Sequence, residues 1–272
     1  MLAPAAIDPT AGFPGDVLGP VPMGDAVNRV LVFCTAKGSG WSVYDLAGDY
    51  ARSSGALNEV TAWSLLFANA LNGRVEIKQI ADFNRIWRRD LAERIGRVPA
   101  DRDLHCLTDD EIDAVISVCQ FGFSGVWAPR TTKLAALYRP MAVPVLDGYV
   151  GMAFGYQQDD LSTKVQRFGL SREERIAKIV RALVTYLRDY TAAMAHLRAQ
   201  VSTTVPELAP SEEPGAPPLI SDLRLLDIVL WTSIDDRRAE RAGKPLKWLG
   251  HTIGAHIPLE TVAPEPIRPR AR

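Results

Sequence analysis

Cysteine is scarce in this chain of 272 residues, and the three present, Cys34, Cys106 and Cys119, are scattered and odd in number. An iron–sulfur cluster needs four closely spaced thiolates, so none is expected. Histidine is almost as rare. His105, His196, His251 and His256 pair with no cysteine and form no His-Glu-x-x-His pattern, so no metal site is expected. No apolar run approaches the roughly 20 residues needed to span a bilayer. The first residues lack a basic start followed by an apolar stretch, and the expected location is therefore cytoplasmic. An excess of charge of one sign is also missing: the net charge is −1, which argues against nonspecific coating of nucleic acid. There is no Gly-rich nucleotide loop, Walker pattern or Ser/Cys nucleophile signature. Gly38-Ser39-Gly40 is too short for a phosphate loop and reads as a turn, so no cofactor is expected.

What is present is helix. The length allows one or two lobes with a sizeable core. Residues 1–28 begin with a Pro-, Gly- and Ala-rich stretch without periodicity and read as a loose arm. Arg29 to Phe33 is an apolar run whose length does not separate a strand from a helix start. A helix runs from about Asn58 through Leu65 and Leu66 to Leu71, where Asn72-Gly73 stops it. On that helix Trp63 reads as a core residue, while Asn58, Asn69 and Asn72 read as cap and stop residues. Ile80 to Ile95 has amphipathic spacing. Thr108-x-x-Glu111 and Ser171-x-x-Glu174 are capping boxes opening further helices. Asp222 to Arg241 is a last strong helix, followed by a short helical piece near Trp248. Residues 201–220 read as a Pro- and Glu-rich linker, 221–257 as helices completing the core begun by 29–200, and 258–272 as a disordered tail. The expected fold is all-α: a two-lobed bundle of roughly eight to ten helices with a cleft between the lobes.

Charge is clustered locally. Arg85, Arg88, Arg89, Arg94 and Arg97 form one basic run, read as a solvated helix face with Asp90 and Glu93 as partners. Arg130, Lys133 and Arg139 flank a second feature, the segment Gly125-Val126-Trp127-Ala128-Pro129-Arg130-Thr131-Thr132-Lys133, followed by Pro140 and then Pro144-Val145-Leu146-Asp147. It reads as a tight turn at Gly122–Gly125, a helix ended by Pro140, an apolar link, and a carboxylate where the next helix begins.

That layout resembles the active-site segment of helix-hairpin-helix DNA glycosylases, with the hairpin motif spanning residues 109–139. In that family a glycine-bearing hairpin holds a DNA phosphate, and an aspartate 22 residues after its first glycine faces the reacting sugar. Counting 22 residues from Gly125 gives Asp147. Members that also cut the backbone carry a nucleophilic lysine four residues after that glycine; here the position is Pro129, and the nearest lysine is Lys133, one helical turn on. Lys133 and an aspartate 14 residues beyond it match a group of bacterial proteins in the same superfamily. The second hairpin glycine is replaced by Trp127.

The resemblance implies a monofunctional glycosylase, acting as a monomer on DNA, in repair or in defence against modified foreign DNA. Breaking an N-glycosidic bond builds positive charge on the sugar. Asp147 is then the catalytic carboxylate, stabilising that charge and activating water; the plain alternative is a helix N-cap. Lys133 has three readings: amine nucleophile, phosphate contact, or solvated side chain. Gly125, Trp127, Arg130, Thr131 and Lys133 are the expected DNA contacts. Base flipping needs a pocket and a filler for the gap, for which Trp127, Tyr149 and Gln157 are candidates. Trp127 is also read as a buried residue packing two helices. Competing functions are a non-catalytic DNA-binding module and a helical protein-interaction scaffold.

Overall fold

Helices with side-chain caps at their starts organise the chain. The computed structural model describes residues 21–36, 40–164, 166, 169–209 and 220–249. Among them α1 spans Met23–Thr35, and a π turn at Trp41–Asp45 leads into α2, Leu46–Ser53. A 3-10 turn at Ala62–Ser64 precedes α3, Leu65–Ala70. Helix α4, Ile77–Asp82, continues through a π turn at Phe83–Trp87 into α5, Arg88–Gly96. Then come α6 (Asp109–Cys119), α7 (Ala128–Tyr138), α8 (Gly148–Ala153), α9 (Arg172–Asp189), α10 (Thr191–Ser202) and α11 (Asp222–Arg241). The fold is all-α, with no strand among the described residues.

Both capping boxes form. Thr108 Oγ1 accepts from Glu111 N while Thr108 N donates to Glu111 Oε2 at 2.9 Å, and Ser171 and Glu174 do the same at α9. These close orphan N–H groups that would otherwise need water. Asn72 takes φ 59° and stops α3, and Asn69 brackets Val75 with hydrogen bonds from both ends of its amide. The basic run behaves as expected, with Arg94 on Asp90 at 2.9 Å and Arg97 on Glu93 at 2.5 Å.

Helix α7 is the centre. Every residue from Thr131 to Tyr138 is buried, as expected of a helix surrounded by others. The buried apolar side chains from Val21 to Trp248 form one connected cluster. Helix α1 lies on α11, α6 on α5 and α9, and α11 on α8.

Several expectations change. The arm gives way to helix at Met23, because Met23, Ala26, Val30 and Phe33 repeat at helical spacing and are all buried; Arg29–Phe33 is therefore helix. Trp63 is 75% exposed, not a core residue, because the 3-10 turn rotates it outward while Ser64 and Leu65 go in. At the two edges of the expected linker the chain is packed: Leu208 and Ile220 are buried, and Arg198 donates to both carbonyls, at 3.2 and 2.9 Å. Around Trp248 the chain bends without forming a helix, anchored by Trp248 N and Lys247 N on Asp236 Oδ1. Residues 1–20, 210–219 and 258–272, His251, His256 and Gly38-Ser39 lie outside the described residues. No helix among the described residues is long and apolar enough to cross a membrane.

Candidate functional site

The site is assembled at the start and the middle of α7. At its start, Phe123 and Val126 exchange backbone hydrogen bonds of 2.9 and 2.6 Å around Ser124-Gly125. Both turn residues have positive φ, 43° and 79°, a conformation that glycine accepts freely. Gly125 is exposed and faces open space. Pro129 sits in the first turn of α7, where its missing N–H costs nothing. Thr131 is buried and donates from Oγ1 to Phe121 O at 3.1 Å, closing the junction. Arg130 is half-buried.

Trp127 packs the junction. Its ring would collide with any β-carbon on Gly122, at 2.1 Å. The guanidinium of Arg172 lies 3.9 Å from the ring centroid and the ammonium of Lys164 5.1 Å. Trp127 is half-buried rather than buried, and both cations gain from the ring's quadrupole. Arg172 Nε and Nη1 are buried without a hydrogen-bond partner.

One and a half turns further along, Lys133 points into the protein. It is 5% exposed and donates from Nζ to Leu71 O at 2.6 Å, so it is not a solvated side chain. Burial pushes its pKa below the ordinary value, with Asp147 and then Asp227 opposing that shift. The same turn of α7 places Asp147. Thr132 Oγ1 donates to Ala128 O and accepts from Leu146 N at 3.0 Å, fixing the residue before Asp147 against the helix. Asp147 Oδ1 then accepts from Tyr149 N at 2.9 Å and Val150 N at 3.0 Å, capping α8. The carboxylate is half-buried, held by backbone donors at a helix N-terminus, where negative charge is favoured. Gly148 is required beside it, since a β-carbon there would lie 2.3 Å from Gln158 O.

Sequence reasoning missed the other side of this cluster. Asp227, on α11, is buried; it pairs with Arg224 through one oxygen and leaves Oδ1 without a partner. Burial pushes its carboxyl up to about 7, opposed by Arg224 and reinforced by Asp147. Arg224 also bonds Asp45 at 2.8 and 3.0 Å. Burial works against its charge, but Asp45 and Asp227 hold the guanidinium firmly protonated. Tyr44, next to Asp45, donates to Lys133 O at 2.5 Å. A small, mostly apolar cavity touches Tyr44, Asp45, Arg224 and Asp227. A signal for Asp227 exists in the sequence: it lies four residues after Leu223 and three before Leu230, on the buried stripe of α11.

The remaining candidates lie at the rim. Tyr149 stacks on Trp231 at 5.3 Å between centroids, with the Arg238 guanidinium 4.9 Å from its ring. Gln157 is exposed, and its backbone N–H donates to Asp160. Lys133 and Asp147 thus come together with Tyr149 close by, whereas Gly125 and Trp127 stand at the far end of α7. Six residues separate Trp127 from Lys133, about 9 Å of helix rise. Among the described residues, no group of three or more His, Cys, Asp or Glu is placed to hold a metal ion.

A family model described as "Family of unknown function (DUF6308)" matches residues 26–234, and the chain belongs to that family. No curated protein and no solved structure matches it.

Proposed function

We propose that this DUF6308 protein is a monofunctional DNA glycosylase, hydrolysing the N-glycosidic bond of a damaged or modified base with Asp147 as its carboxylate. The observation that carries the reading is a backbone-fixed, half-exposed Asp147 whose charge reaches buried Lys133, on a helix that begins at a glycine-bearing turn. In the reaction, the bond between C1′ and the base nitrogen breaks and its electron pair leaves with the base. The cationic sugar that forms is stabilised by the Asp147 carboxylate. A water oxygen bonds to C1′, its proton passes to Asp147, and the departing base takes a proton from solvent. A positioned base of this kind contributes about 10²–10⁴-fold.

Lys133, with its amine on Leu71 O and almost no exposure, is held inside the protein rather than free to attack the sugar. Pro129 occupies the place of the lyase lysine. Borohydride should therefore trap no covalent DNA adduct; an adduct that disappears in Lys133→Ala would make Lys133 the nucleophile. The main test is base release from DNA carrying uracil, oxidised or alkylated purines, or hydroxymethylated or glycosylated cytosine. Alkali-dependent strand cleavage by wild type, absent in Asp147→Asn, supports the reading. The way Trp127 replaces the second turn glycine and packs under Arg172 favours a second reading, a DNA-binding module without chemistry. Tight duplex binding with no base released from any substrate would select it.

A further inference from the structure

Asp227 keeps one carboxylate oxygen that the proposed reaction does not use. Its Oδ2 pairs with Arg224, while Oδ1 is buried and has no hydrogen-bond partner among the described residues. As an anion Oδ1 lacks a donor, and as an acid it lacks an acceptor, so protonation alone does not satisfy it. Asp227 lines a cavity whose wall takes residues from α2, α7 and α11. Leu137, Val143, Val145, Ile220 and Leu223 give it apolar sides. Tyr44 and Asp45 enter from the π turn before α2, and both are buried; π turns recur where a protein aims side chains at a functional site. The half-buried members of the wall, Arg52, Pro140 and Arg224, mark the side that meets solvent.

The charges on this wall do not balance. Arg224 is held by Asp45 at 2.8 and 3.0 Å and by Asp227, and lies 5.5 Å from the ring centroids of Phe33 and Tyr44. Arg52 is already matched by Asp49 at 3.3 Å. Asp45 and Asp227 therefore share the Arg224 guanidinium, and an ionised Asp227 leaves one negative charge over. Of the groups that face Asp227, Arg224 and Lys133 favour its ionised form, while Asp147 and Asp45 oppose it. The Tyr44 hydroxyl is spent on Lys133 O. A spare acceptor and a surplus negative charge between apolar sides suit a cation that donates hydrogen bonds and carries a short alkyl chain.

We propose that this cavity is a binding site for a small primary amine, its ammonium donating to Asp227 Oδ1 and its alkyl chain lying against Val143, Val145 and Leu223. The site stands independently of the DNA reading. Its test titrates the full chain with n-propylammonium chloride by calorimetry, beside 1-propanol and tetramethylammonium chloride. Wild type is expected to bind n-propylammonium saturably. The Asp227 carboxyl, pushed up to about 7 by burial, ionises between about pH 6 and pH 8, so binding should tighten about tenfold across that range. 1-Propanol lacks the charge and tetramethylammonium lacks the N–H donor, so both bind more weakly. Asp227→Asn removes the charge. Ala136→Leu fills the cavity from α7 and leaves every charge in place, which keeps the test decisive where Asp227→Asn fails to fold. Each variant should abolish saturable binding. Binding that survives in Ala136→Leu, or equal affinity for 1-propanol, overturns the proposal. So does a wild type that binds no n-propylammonium, which would assign Oδ1 to water.

Discussion

Asp147 does two jobs in the proposed reading, and one substitution separates them. Its Oδ1 accepts from Tyr149 N and Val150 N, and an asparagine carbonyl in the same place accepts both bonds. Asn and Asp rank together as N-caps, whereas replacement of either by Ala costs about 1 kcal/mol. For a chain of this size that corresponds to roughly 2–4 °C in melting temperature. Asp147→Asn should therefore melt within about a degree of wild type, and Asp147→Ala a few degrees lower. Chemistry should order the variants differently. Both lose the anionic base, and base release should fall by about 10²–10⁴ in each. The amide also removes the charge that favours the ammonium form of Lys133, so that amine loses its proton more easily in the variant. The assay is single-turnover release from a labelled duplex, developed with alkali and run beside a thermal melt. Asp147→Asn that keeps wild-type rates would refute the argument and leave Asp147 as a cap. Asp147→Asn that fails to fold would show that the carboxylate charge, not the cap, holds this region together.

Three further outcomes follow from the same geometry. Asp227, with its carboxyl raised from 3.8 to about 7, keeps its proton in the folded chain after the unfolded chain has lost it. Stability should thus fall as pH rises from about 4 to 7 and level off above, by at most roughly 4 kcal/mol. Urea midpoints across that range should show the slope in wild type and its loss in Asp227→Asn; an unchanged slope in the variant would assign it elsewhere. Lys133, lowered by burial, has the opposite sign: the unfolded chain binds its proton more readily, so stability rises with pH up to about 10.5. Lys133→Met should flatten that rise in alkaline melts, and a persistent rise would contradict it. At the turn, Gly122→Ala should cost about 1–3 kcal/mol because its β-carbon meets the Trp127 ring at 2.1 Å. Gly125→Ala, which meets nothing, costs only the strain of φ 79°, about 1–2 kcal/mol; denaturant midpoints showing Gly125→Ala as the worse of the two would reverse this account.

Helices announced themselves in this sequence wherever the signal was local. The capping boxes at Thr108 and Ser171, the stop at Asn72 and the start of α11 at Asp222 each depend on residues within one turn of each other, and each lies where the pattern put it. Tertiary burial was legible only where the apolar stripe was read strictly. Trp63 belongs to an apolar run but to a 3-10 turn, whose three-residue period turns it outward. Asp227 and Lys133 are the reverse case, polar residues at positions their helices bury. A carboxylate between Leu223 and Leu230, and a lysine between Thr132 and Leu134 on a helix that is apolar afterwards, are each expensive to bury alone. Arg224, which meets Asp45 across 179 residues of sequence, supplies the partner for one; Leu71 O and Asp147 supply it for the other. Those partners come from distant elements, so no spacing rule reaches them. The charged residue on the buried stripe is itself the readable sign, because a chain that tolerates it must bring a neutralising group from elsewhere. Applied here, that rule selects Lys133 and Asp227, on the two helices, α7 and α11, that line one cavity, with the Asp227 charge acting on Lys133.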